Sequence, residues 1–161
     1  MSPEVDLPRP FIRVLQRYPC LQRHPHPFVV HFPIVFTLAA AFFSLLYLLA
    51  GGNSFETTAF HCLGAALLTT PLAMLSGELS RRVNYPREPE HTFQIERRYS
   101  RALLAASGVA FLWRWLDPSI LQNFGGASLV YLALVLSLPV FATIISYFGG
   151  LLTFPLEKEE N

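Results

Sequence analysis

The amino-acid sequence predicts an all-α fold, a four-helix transmembrane bundle with both termini on the cytoplasmic side. Three observations carry that prediction. The chain is 52% hydrophobic and only 14% charged over 161 residues, which is too apolar for a soluble domain of this size. Its charges are clustered, leaving long stretches with none. Those stretches reach the roughly 20 residues that cross a ~30 Å hydrocarbon core.

Residues 1–26 form a cytoplasmic or interfacial segment. Within it, residues 11–18 (FIRVLQRY) alternate apolar and arginine positions at helical spacing, suiting a short helix on the inner leaflet. A secretory signal peptide is not expected, because no short apolar core precedes a small-residue cleavage site. The first span is predicted at 28–50. From 28 to 53 the one residue that titrates near neutral pH is His31. Pro27 suits the first turn, with His26 near the cap and outside the helix. The second span is predicted at 57–78, and from 57 to 77 His61 and Cys62 are the residues that interrupt an otherwise non-titrating run.

A third helix is expected at 94–116, although Arg101 and Arg114 bracket a short apolar core. Glu96, Arg97, Arg98 and Arg101 would sit at the headgroups and Arg114 would snorkel at the far end. The alternative is a re-entrant or interfacial segment, which would move the C-terminus to the other side. The fourth span is expected at 127–149, inside a run from 118 to 153 that holds no Asp, Glu, Lys, Arg or His. Residues 27–154 thus make one transmembrane domain, followed by a cytoplasmic tail at 155–161. Pro33, Pro71 and Pro139 lie within apolar runs and are expected to kink them. Ala73/Gly77 and Ala106/Ala110 are read as simple close packing.

Arginines set the orientation. Arg9, Arg13, Arg17 and Arg23 precede the first span, and Arg81, Arg82, Arg87, Arg97, Arg98 and Arg101 cluster between the second and third. The positive-inside rule puts both termini and the middle loop (79–93) in the cytoplasm. Trp113 and Trp115 then fall in the outer aromatic belt.

Histidines carry the chemistry. Three of the five stand in HPHPFVVHFP, residues 24–33, and His31 lies about one turn inside a span. An imidazole in hydrocarbon is costly without a partner, so it marks a functional site. Depth along the helices puts His31 and His61 on the order of 20 Å apart. Two axial ligands of one haem iron must be about 4 Å apart, so these two do not share a haem. An inner site is expected instead, with His31 and His26 as metal ligands, His91 as a further candidate, and Arg81 and Arg82 answering haem propionates or another anion. Glu78 is a candidate to orient an imidazole. The plainer alternative has His31 bonded to a backbone carbonyl of a neighbouring helix or to the carbonyl freed by Pro33, and the arginines anchored on anionic lipid. His24 reads as interfacial, and His61 as partnerless near the outer headgroups.

Other chemistries are disfavoured. Cys20 and Cys62 fall on opposite sides and lack zinc-site spacing. No phosphate loop, nucleophile triad spacing or nucleic-acid motif is present, and no catalytic residue is assigned. An interior without carboxylates argues against a proton- or sodium-coupled transporter.

The stretch HPHPFVVHFPIVF resembles the signature of a bacterial family of small polytopic membrane proteins, the domain of unknown function 2231. The HPxxVHFP pattern is matched by His26-Pro27 and Val30-His31-Phe32-Pro33. The likeness continues through FETTAFHCLG (55–64), LSGELSRRVNY (75–85), FLWRWLDP (111–118) and YFGGLLTFP (147–155). Where relatives often carry a Trp pair before Asn-Tyr, this chain has Arg81-Arg82. The resemblance implies a four-helix domain of the bacterial inner membrane with a link to electron transfer. The expectation is a non-catalytic redox protein or redox-complex subunit that binds haem b and exchanges electrons with quinone or a cytochrome. Its partners would be lipids and other membrane subunits or a second copy. The rival is a cofactor-free structural subunit of a respiratory or photosynthetic assembly.

Overall fold

The computed structural model describes the backbone of residues 26–84 and 90–153 and the side chains of 26–82 and 93–150. Among these, four helices follow one another: α1 (His26–Ala50), α2 (Asn53–Asn84), α3 (Glu90–Leu116) and α4 (Gly126–Thr153). All four expected helices are present, and each runs further than its apolar core. α2 gains most, because charges that end a hydrocarbon span do not end a helix. The expected N-terminal helix at 11–18, His24, Cys20 and the residues left of the middle loop, 85–89, lie outside the described residues.

Gly51 and Gly52 turn α1 into α2 with φ of 69° and 94°, a region that glycine enters without a Cβ clash. The Gly51 N–H closes α1 by donating to the Tyr47 carbonyl at 2.9 Å, and the Phe55 N–H opens α2 on the Gly52 carbonyl at 3.1 Å. The helices pack in the cyclic order α1, α2, α3, α4, with α1 facing α3 and α2 facing α4 across the diagonals.

Buried positions recur at alternating steps of three and four. They are Pro33, Thr37, Ala40 and Ser44 on α1, Glu56, Ala59, Leu63, Ala66, Thr70 and Ala73 on α2, and Ser128, Tyr131, Val135, Leu138, Ala142 and Ile145 on α4. A 3.5-residue repeat is that of left-handed supercoiled bundles. Small side chains fill much of the α1 and α2 seams, while Phe28, Phe42, Leu49, Leu68, Leu75 and Leu116 face outward. That distribution reverses a soluble core and suits helices that approach closely inside a lipid surround. Three helices, α1, α2 and α4, are long and apolar enough to cross a membrane. On composition α3 falls short, because it carries Glu96, Arg97, Arg98, Arg101 and Arg114.

Two polar contacts define the path of α3. At one end of the bundle the Arg114 guanidinium meets the Glu56 carboxylate, and at the other His26 reaches both Ser76 and Glu96. Ser76 lies 20 residues after Glu56 on α2, and Arg114 lies 18 residues after Glu96 on α3. At 1.5 Å per residue these are ~30 Å and ~27 Å. Phe43 stacks on Phe55 17 residues after His26, giving ~26 Å along α1. The three rulers agree with one another and with hydrocarbon thickness. α3 therefore runs the whole length of the bundle beside the apolar helices.

Arg114 does not snorkel. Its side chain is only 13% exposed and pairs in bidentate fashion with Glu56, which is 6% exposed. Phe60 lies under the guanidinium at 5.5 Å and stacks on Phe111 at 4.8 Å. Below the pair, the α3–α4 connection tucks Ile120 and Leu121 into the bundle, held by Ser128, whose hydroxyl donates to the Ile120 carbonyl at 2.6 Å. Trp113 packs edge-on against buried Tyr131 while Trp115 stays exposed.

Removing one partner of this pair leaves an uncompensated buried charge. Glu56→Gln is expected to lower the unfolding free energy by about 3–5 kcal/mol, and the double replacement Glu56→Leu/Arg114→Leu to lose far less. Denaturant titration in mixed micelles checks both.

Candidate functional site

The site at the opposite end is built from the first turn of α1, the third-last turn of α2 and the second turn of α3. His26 is the first helical residue of α1 rather than a residue outside it. Its ring turns inward, across the α1–α3 diagonal. Nδ1 lies 3.0 Å from the Ser76 hydroxyl and Nε2 lies 3.3 Å from Glu96 Oε1. The ring can lie there because residue 77 has no side chain. A Cβ on Gly77 would stand 3.0 Å from the imidazole Cε1, tighter than ordinary carbon contacts. The Ala73/Gly77 spacing thus does more than allow close helix packing: it makes room for a polar ring.

Glu78 gathers arginines rather than orienting an imidazole. Its carboxylate accepts from Arg81 at 2.9 Å, from Arg82 at 2.8 Å and from Arg97 of α3. Three positive charges on one negative leave the Glu78 cluster at +2, with exposed Arg101 nearby on the cleft. Between α2 and α3 opens a cleft of about 300 Å³. Met74, Leu75 and Phe93 give it an apolar wall, while Glu96, Arg97 and Ser100 give it a polar one. Behind it a cavity of about 30 Å³ extends into the bundle, touching His26, Thr70, Glu96 and Ser100.

The expected site residues separate. His31 faces outward from α1, with its Nδ1 engaged by the Pro27 carbonyl of its own helix, neither a neighbouring helix's carbonyl nor the one that Pro33 frees. His26 and His31 therefore leave α1 in different directions and do not converge on one ion. Among the described residues, no three His, Cys, Asp or Glu side chains gather for a metal. Arg81 lines the cleft, whereas Arg82 is exposed on its far side. His91 is part of α3, and its side chain lies outside the described residues. His61 is exposed beside Phe60 toward the Glu56 end. It stands ten or eleven residues from the level of His31, or ~15 Å, so the two remain far apart.

Two site residues escaped the sequence reading. Glu96 was placed at the headgroups and Ser76 had no role, yet both touch His26. A trace of Glu96 is in the sequence: Glu96, Ser100, Leu103, Ser107, Ala110 and Arg114 follow the same alternating steps of four and three, a polar-ended inward seam.

Serine, histidine and carboxylate in line suggest a nucleophilic triad, and the geometry argues against one. Ser76 sits inside α2, where backbone N–H groups are spent on the helix and leave no oxyanion donors. Its hydroxyl proton points to the Ala73 carbonyl at 2.8 Å. The arrangement is suited to holding a proton and to hydrogen-bonding a ligand in the cleft.

Filling the space at residue 77 tests this geometry. Gly77→Val is expected to displace the imidazole and cost about 1–3 kcal/mol of unfolding free energy. Gly77→Ala should cost less, because alanine regains about 1 kcal/mol of helix propensity. Unfolding titrations of the two variants in micelles give the comparison.

No curated protein and no solved structure matches this chain. The sequence model of one family, described as predicted membrane proteins (DUF2231), covers residues 23–156, the whole of the bundle together with its arginine-end site. The chain belongs to that family of membrane proteins.

Proposed function

We propose that this membrane protein is a small redox protein or a subunit of a redox complex, and that the cleft at its arginine end receives a quinone headgroup. The cleft wall carries the reading. Met74, Leu75 and Phe93 suit a ring and the start of an apolar tail. Arg97 and Ser100 supply donors for carbonyl oxygens, and the His26–Glu96 pair lies at the back. A volume of about 300 Å³ is at the lower end for small-molecule sites, so the headgroup enters and the tail lies in lipid along the helices. Reduction of a quinone takes two electrons and two protons. The electrons come from a redox group on a partner protein; one proton reaches the quinone through the His–Glu pair and the second from water at the cleft mouth. The arginine cluster, through the positive-inside rule, supports reading this end as the cytoplasmic one in a bacterial inner membrane. Lipids and other subunits, or a second copy, surround it there.

His31 supports a second reading, the binding of haem b. With Nδ1 on the Pro27 carbonyl, the outward Nε2 is the nitrogen an axial imidazole uses. His31 Nε2 would hold such a haem, which would supply one-electron transfer, and His26, turned inward, would not join it.

The purified full chain, exchanged into nanodiscs without detergent, is expected to retain about one quinone per chain on solvent extraction. Arg97→Ala should weaken retention about tenfold, the ~1.4 kcal/mol of one charge-assisted hydrogen bond. A Soret band that is lost in His31→Ala and kept in His26→Ala would establish haem. Quinone no higher than in protein-free discs, with a colourless preparation, would sink both readings and leave a cofactor-free bundle packed against a larger assembly.

A further inference from the structure

We propose that the mouth of the cleft between α2 and α3 is a discrete binding site for one anionic phospholipid, whose phosphate Arg97 and Arg101 hold. The reading starts from a cation in a costly place. Arg101 lies five residues beyond Glu96 on α3, so its backbone stands ~7.5 Å deeper along the bundle than the level of His26 and Glu96. That level is one end of the hydrocarbon-length stretch that closes at Arg114. Arg101 is exposed there, and among the described residues no carboxylate or other polar group pairs with it. A guanidinium that faces lipid below the headgroups is expensive without an anion. The anion closest at hand is the phosphate of a lipid in the same leaflet.

Helix geometry turns Arg101 toward that phosphate. Side chains tilt toward the N-terminus of their helix, which in α3 is the arginine end, so Arg101 rises toward Arg97 one turn away. Both line the cleft. Arg97 donates through Nη2 to Glu78, which steadies its guanidinium, and the rest of its donor fork is not spent on that carboxylate. The carboxylates on the cleft are engaged with the protein. Glu78 accepts from Arg81, Arg82 and Arg97, and Glu96 turns Oε1 to His26 at 3.3 Å. The Glu78 cluster stays at +2 and Arg101 adds a further charge, so a headgroup of net negative charge suits the mouth and one that adds an ammonium does not. The acyl chains also have a track. Leu75 lines the cleft, and exposed Leu75, Leu72 and Leu68 follow one face of α2 from the mouth toward the membrane centre. A chain laid on them stays in hydrocarbon while its phosphate meets two guanidiniums, whose planar forks match phosphate oxygens. Arg97 is common to this site and to the quinone reading, whereas Arg101 belongs to this one alone and is the residue to test.

Native mass spectrometry of the purified full chain, loaded with equal phosphatidylglycerol and phosphatidylcholine, reads the retained lipid directly. The wild-type chain is expected to keep about one phosphatidylglycerol and to prefer it about tenfold, the worth of one charge-assisted hydrogen bond. Arg101→Gln should lower phosphatidylglycerol retention about tenfold and leave phosphatidylcholine unchanged. Arg98 is also exposed on α3 but does not line the cleft, so Arg98→Gln removes the same charge and should change retention by less than about twofold. Helical circular dichroism should be unchanged in both variants, and quinone retention, read in the same samples, stands or falls on its own. Equal retention of the two lipids, or equal losses in Arg98→Gln and Arg101→Gln, would mean diffuse attraction and overturn the proposal. An adduct of inorganic phosphate that depends on Arg101, with no lipid retained, would overturn the lipid as its source.

Discussion

The salt bridge between Glu56 and Arg114 sets the register on which the rest of this bundle depends. Two groups that cannot stay charged in hydrocarbon without each other fix the start of α2 against the end of α3. Once that contact is made, helix geometry decides what meets at the far end. Counting 20 residues along α2 and 18 along α3 brings Ser76 and Glu96 to the same level, where His26 of α1 joins them. A slip of one residue on either helix would rotate its partner by about 100° and dissolve the site. The ion pair and the His26 site are the two ends of a single alignment.

The two ends use charge differently. At the Glu56 end one carboxylate and one guanidinium are desolvated, bidentate and stacked on Phe60, so each is costly to lose. At the His26 end Glu78 shares three arginines whose side chains are between about a third and a half exposed. Such contacts contribute little individually, because water and lipid headgroups solvate whatever the carboxylate leaves. Their combined effect is a positive rim around the cleft. One end holds the bundle together, and the other end remains open to a ligand.

The proposed chemistry draws on the same asymmetry. His26 lies within the bundle because Gly77 leaves space for a ring, and it is polar on both sides because Ser76 and Glu96 are there. The apolar wall of Met74, Leu75 and Phe93 gives an amphiphile a place beside that pair.

The sequence by itself determined that four helices would form, where their apolar cores lie and which end collects arginine. These follow from local hydropathy, from glycines at turns and from charge counts, none of which needs a partner helix. It singled out His31, with His26 or His91 as its companion, whereas His26 is the histidine that enters the bundle. Only the tertiary structure decided the partners. Whether His26 faces His31 or Glu96 depends on helix rotation and on which helix lies across the diagonal, and the ring finds room there because Gly77, 51 residues away, has no side chain. Arg114 reads from sequence as an interfacial cation, and the fold makes it half of a buried pair because Glu56 arrives at the same depth. Side-chain chemistry is local, but facing is collective, so the elements were legible and the site was not.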